Sequence, residues 1–139
     1  MQKSAEMACL DLSLAALALK QRHGAEAIEE IEGAASILAT APDAVSADGI
    51  KLLNLRAVVQ ARRGKWMEAQ ADLERGLWLA RGEAGTDDTE VLMARRNYFE
   101  VCRKLHRRPD SQLAGWINAI HLPSETNGSV IDVAELKQR

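Results

Sequence analysis

Apolar residues recur three and four positions apart along most of the chain, from about residue 4 to residue 121. That is the period of helices that each bury one face. Breaks in the pattern divide it into six predicted helices. The first runs from Ser4 to Arg22 and stops near Gly24. The second runs from Ala25 to Thr40 and ends before Pro42. The third starts after Ser46 or Asp48, whose side chains suit an N-cap, and stops at Gly64. The fourth spans Lys65 to Arg81 and ends at Gly82. The fifth follows "GTDDT" and ends near Arg107, and the sixth follows Pro109, capped by Asp110 or Ser111, and ends before Pro123. The remainder, "SETNGSVIDVAELKQR", has a turn signal at Asn127-Gly128 and reads as a flexible tail or a docking strand.

Six helices joined by short links predict three hairpins, and the hairpins repeat. A shift of 43 residues lays Asn54 on Asn97, Leu55 on Tyr98, Val58 on Val101 and Leu73 on Trp116. It also lays Gly76 on Ala119 and Leu77 on Ile120. A shift of 42 the other way lays Glu68 on Glu26, Ala69 on Ala27, Leu73 on Ile31 and Gly76 on Ala34. Any two amphipathic helices share apolar matches. Small residues and an asparagine recurring in register are more specific, and small residues suit close approach of helix axes.

At these residues the chain resembles the tetratricopeptide repeat, in the long variety of about 42 residues found in kinesin light chain. "NLRAVVQARRGKWMEAQADLERGLWLARGEAGTDDTEV" follows that pattern from its asparagine, through the G-aromatic-x-E-A turn, to the G-x-D-D-x-x-V loop. The match is good over residues 50–106, partial over 109–121 and weak over 1–40. Arg56 and Arg96 stand where the pattern is usually apolar, and Pro109 where an aromatic belongs. The resemblance implies an all-α superhelix of antiparallel hairpins whose first helices line a concave peptide-binding groove. It places Asn54 and Asn97 where the family's asparagines bond the ligand backbone, with Val58, Arg62, Val101 and Lys104 further along that face. Trp66, Trp78 and Trp116 fall at apolar positions and are expected in the core.

Composition narrows the remaining choices. The net charge is −2, but residues 1–50 carry 3 basic and 8 acidic side chains, and residues 51–108 carry 13 and 8. "RRNYFEVCRKLHRR", residues 95–108, could meet phosphates, yet its cations spread around a helix, which favours a solvated surface. Nucleic acid is therefore not the expected partner. Cys9 and Cys102 fit no paired motif, and His23, His106 and His121 are scattered. No metal, phosphate-loop or nucleophile-base pattern appears, so no catalysis, metal or cofactor is expected. The run "MACLDLSLAALAL" is interrupted by Asp11 and too short to span a bilayer, so a cytoplasmic protein is expected.

The first helix is apolar on nearly all sides, and an end helix of an array is covered on one side only. It is therefore expected to meet another copy, a partner or the folded-back tail. The domain expectation is a repeat domain over 1–122, with hairpins at about 4–40, 46–81 and 88–121, and a flexible tail over 123–139. The expected function is non-enzymatic protein–protein recognition, as an adaptor, scaffold or regulatory module. The alternatives are a small secretion-type chaperone shielding an apolar partner segment, and a nucleic-acid-linked regulator using residues 95–108.

Overall fold

A computed structural model describes residues 4–41, 46–82 and 89–118. These described residues form six helices: α1 (Ala5–Lys20), α2 (Gly24–Thr40), α3 (Ser46–Arg62), α4 (Trp66–Arg81), α5 (Thr89–Lys104) and α6 (Ser111–Asn118). The architecture is all-α, with consecutive helices folded into antiparallel hairpins. Among the described residues no helix is long and apolar enough to cross a membrane. The tail over 123–139, His121, Ala119 and Ile120 lie outside the described residues.

The three hairpins close by one device. Arg22 (φ 63°), Gly64 (φ 75°) and His106 (φ 55°) adopt the left-handed conformation, each 42 residues after the last. Around each, the same hydrogen bonds form. His23 N donates to Ala18 O at 2.8 Å, Lys65 N to Gln60 O at 2.8 Å, and Arg107 N to Cys102 O at 2.9 Å. The left-handed residues themselves donate three positions back, to Leu19, Ala61 and Arg103 carbonyls at 3.2, 3.0 and 3.1 Å. These bonds satisfy carbonyls that a helix end leaves bare and reverse the chain in a few residues.

This turn moves two predicted boundaries. The first helix ends at Lys20 rather than Arg22, and the fifth at Lys104 rather than Arg107, because Arg22 and His106 leave right-handed helical space. Gly24 is not the stop signal; it opens α2. Turn residues keep a period of 42, whereas Asn54 and Asn97 are 43 apart. The asparagines are thus neighbours across an interface rather than equivalents in the turn register.

Hairpins α1–α2 and α3–α4 pack along their full length. The first helices then touch in sequence, α1 on α3 and α3 on α5, while α2 packs on α3 and α4 on α5. Ala27, Ala34 and Ala69 are completely buried, as their spacing required. Leu12, Leu19, Leu73, Leu77, Tyr98, Leu113 and Ile117 fill the same continuous core. The third hairpin departs from the first two. Short α6 leans on α4. Asp110 Oδ1 caps it, accepting from Gln112 N at 3.0 Å and Leu113 N at 3.1 Å.

Gly76 does not act as the spacer its repeat position implied. A Cβ there would meet Leu53 Cβ at 3.6 Å, an ordinary contact. Gly76→Ala should therefore stabilise the fold by about 0.5–1 kcal/mol, since it removes helix-interior glycine entropy without a clash. At Gly64 a Cβ would meet nothing within 4 Å, so only the backbone matters. Gly64→Ala should destabilise by about 1 kcal/mol. Denaturant titration of both variants checks the opposite signs.

Candidate functional site

The repeat pattern pointed to the first helices. Their polar residues form a line through the molecule. Asn97 Nδ2 donates to Asn54 Oδ1 at 2.9 Å, and Asn54 Nδ2 donates to Glu90 Oε2 at 3.3 Å. Asn54 is 2% exposed and Asn97 is fully buried. Val58 and Val101 are also fully buried. These four predicted groove residues therefore lie within the packed interior. The physical reason is that α3 and α5 pack directly on each other, so this face is an interface rather than a groove wall. A buried amide without a partner costs more than its pair contributes, which is why the two meet.

Lys104 is exposed and Arg62 half-buried, and each has a local role. Arg62 Nη2 donates to the Leu19 carbonyl at 2.9 Å, bonding the last turn of α1 to α3. The Lys104 ammonium sits 5.4 Å from the centre of the Trp66 ring. Trp66 and Trp116 pack against the core as expected, but Trp78 is 40% exposed beneath Arg81. Its apolar position in the repeat falls on an outer face of α4.

Arg56, at a position usually apolar, is accounted for by a partner. Its Nε donates to Asp72 Oδ2 and its Nη2 to Asp72 Oδ1, both at 3.0 Å. The paired Asp72 raises the guanidinium pKa above its ordinary value. This two-pronged bond joins α3 to α4 with fixed geometry.

An open cleft remains between α1 and α3, with a volume of ≈ 190 Å³. Ala16 and Leu17 give it an alkyl floor, and Ser13, Lys20 and Lys51 give it polar walls. Lys51 Nζ donates to Ser13 Oγ at 3.4 Å, and Ser13 Oγ donates to the Cys9 carbonyl at 3.0 Å. Below, Cys9 Sγ donates to Asp48 Oδ1 at 2.9 Å. Two ammonium groups beside a small apolar floor suit a carboxylate-bearing segment with one short apolar anchor. Ser13, Lys20 and Lys51 carry no repeat signal, so periodicity could not find them.

The basic segment is dispersed by the fold. Arg95 Nε donates to the Ile117 carbonyl at 3.0 Å, and Arg107 Nη1 to Gln70 Oε1 at 3.3 Å. Arg103 pairs with Glu100. These cations face different elements, so they do not make one phosphate-facing stripe.

A buried polar cluster joins the second and third hairpins. Gln70 Nε2 donates to Cys102 Sγ at 3.6 Å, and Asp110 N donates to the Tyr98 hydroxyl at 2.8 Å. Burial holds the Cys102 thiol and the Tyr98 phenol above their ordinary pKa values, so neither is an activated nucleophile. Burial also raises the pKa of Glu74, helped by nearby Asp110. Among the described residues no cluster of His, Cys, Asp and Glu could hold a metal ion.

No protein-family model, curated protein or solved structure matches this chain.

Two outcomes follow from the buried groups. Asn54→Ala and Asn97→Ala should each destabilise by about 1–3 kcal/mol, because each strands a buried amide. The double variant should cost clearly less than the sum, and a thermodynamic cycle from urea melts measures that coupling. Glu74 binds its proton more tightly folded than unfolded, so its ionisation lowers stability as pH rises through those two pKa values. Glu74→Gln should therefore raise the melting temperature at pH 7, with the gain vanishing in acid below about 4, where both forms are neutral. Thermal melts across pH check the trend.

Proposed function

We propose that this chain is a non-enzymatic protein–protein recognition module of the tetratricopeptide type, holding an acidic segment of a partner beside its first helices. The observation that carries this reading is the α1–α3 cleft, with Lys20 and Lys51 over Ala16 and Leu17. Its walls belong to two long helices tied together by Cys9–Asp48, Ser13–Lys51 and Arg62–Leu19. A surface held in this way needs little ordering when a ligand arrives, which favours affinity from few contacts.

The test is a peptide array that varies acidic and apolar positions independently, probed with the purified chain. Peptides combining Asp or Glu with a small apolar residue should be enriched. Lys51→Glu should weaken the best of them about tenfold or more, and added salt should weaken wild-type binding. Equal binding of acidic and basic peptides, or an unchanged Lys51→Glu profile, would overturn the reading.

A further inference from the structure

The first helix carries two apolar faces, and among the described residues only one is covered. Ala8, Leu12, Ala15 and Leu19 are buried against α2 and α3. On the opposite side Met7, Leu10, Leu14 and Leu17 remain 47%, 60%, 43% and 52% exposed. Their spacings are three, four and three residues, which form one straight seam along the helix. This is the spacing by which two helices interlock side chains. A single exposed apolar side chain needs no explanation, but four in a seam mark a contact surface.

We propose that this seam pairs with the same seam of a second copy of this chain, the two α1 helices running antiparallel about a two-fold axis. The charges beside the seam select the occupant and its direction. Glu6 lies in the first turn of α1 and Lys20 in the last, and both are exposed. Antiparallel pairing sets Met7 against Leu17 of the other copy and Leu10 against Leu14. It then brings Glu6 beside Lys20 of the other copy at both ends of the contact. Parallel pairing would leave Glu6 and Lys20 at opposite ends of the contact, each without an opposite charge from the other copy. The antiparallel arrangement also places each helix's positive end beside the other's negative end. Asp11, which flanks the seam near the axis, is turned inward. Its Oδ2 lies 3.4 Å from where a Cβ on Gly33 of α2 would stand. The same patch meets itself, as a two-fold contact requires. Two helical repeats of seam make a small interface, so association is weak, on the order of micromolar.

The experiment is sedimentation equilibrium of the purified full chain, without ligand, from low micromolar to near-millimolar concentration. Run without ligand, it separates failure of the seam from failure of the peptide-binding reading. Leu17 and Lys20 also line the cleft, so a dimer and an acidic segment would compete for them. A reversible dimer is expected. Leu10→Ser/Leu14→Ser changes only exposed positions, so helicity and melting should persist while association weakens about tenfold or more. Glu6→Lys and Lys20→Glu should each weaken the dimer, and the Glu6→Lys/Lys20→Glu double variant should restore it. A wild-type chain monomeric over the whole range overturns the proposal, whether residues 123–139 or another protein then shields the seam. A dimer insensitive to the leucine changes also overturns it, since the contact then lies elsewhere. Association without charge-swap rescue overturns the antiparallel pairing.

Discussion

Everything in this fold depends on how sharply the chain can reverse after each first helix. The reversal needs one residue in left-handed space, and it occurs at 22, 64 and 106. Only the middle position is a glycine. Arg22 and His106 hold the same geometry against a steric penalty of roughly 1 kcal/mol each. They hold it because the turn satisfies carbonyls at the helix end and lets Ile31 and Leu113 of the following helices reach the core. A lengthened turn would lose both. Thus backbone geometry, rather than any one side chain, sets the 42-residue period.

Packing then supplies what the turns leave undefined, namely the relation between one hairpin and the next. Apolar contacts are tolerant of sliding, because one alanine fits much like another. The polar bonds are not. Asn54 meets Asn97 at a single register of α3 on α5. Gln70 does the same between α4 and α5 through Cys102. Within the second hairpin, the fork of Arg56 on Asp72 fixes α3 against α4. Each bond contributes modestly to stability, but a slipped register would bury unpaired groups and cost several times more.

The sequence disclosed these two levels unequally. Helix number, order and most boundaries were legible because apolar spacing and Gly or Pro breaks are local signals. The left-handed turns at Arg22 and His106 were not, since arginine and histidine do not announce that geometry. Asn54 and Asn97 were found as a recurring pair, but a period cannot tell a groove wall from an interface between neighbours. That distinction depends on how closely α3 and α5 approach. The fork at Arg56 was visible only as a departure from the pattern, because its partner Asp72 is distant in register. The lysines of the α1–α3 cleft were invisible for a similar reason. Lys20 ends α1 and Lys51 lies in the second turn of α3, and only the packing of those helices brings them to one opening.

The light attachment of α6 has a consequence for motion. Eight residues long, it is held by Leu113 and Ile117 in the core, by Arg95 on the Ile117 carbonyl, and by Tyr98 on the Asp110 amide. In a linear array each unit leans only on its neighbours, so an end unit with few anchors opens before the rest. Amide exchange should then be graded along the molecule, fastest in α6 and slowest in α3 and α4. Such a gradient would let this end fray and reclose many times without disturbing α1 or the cleft at the opposite end.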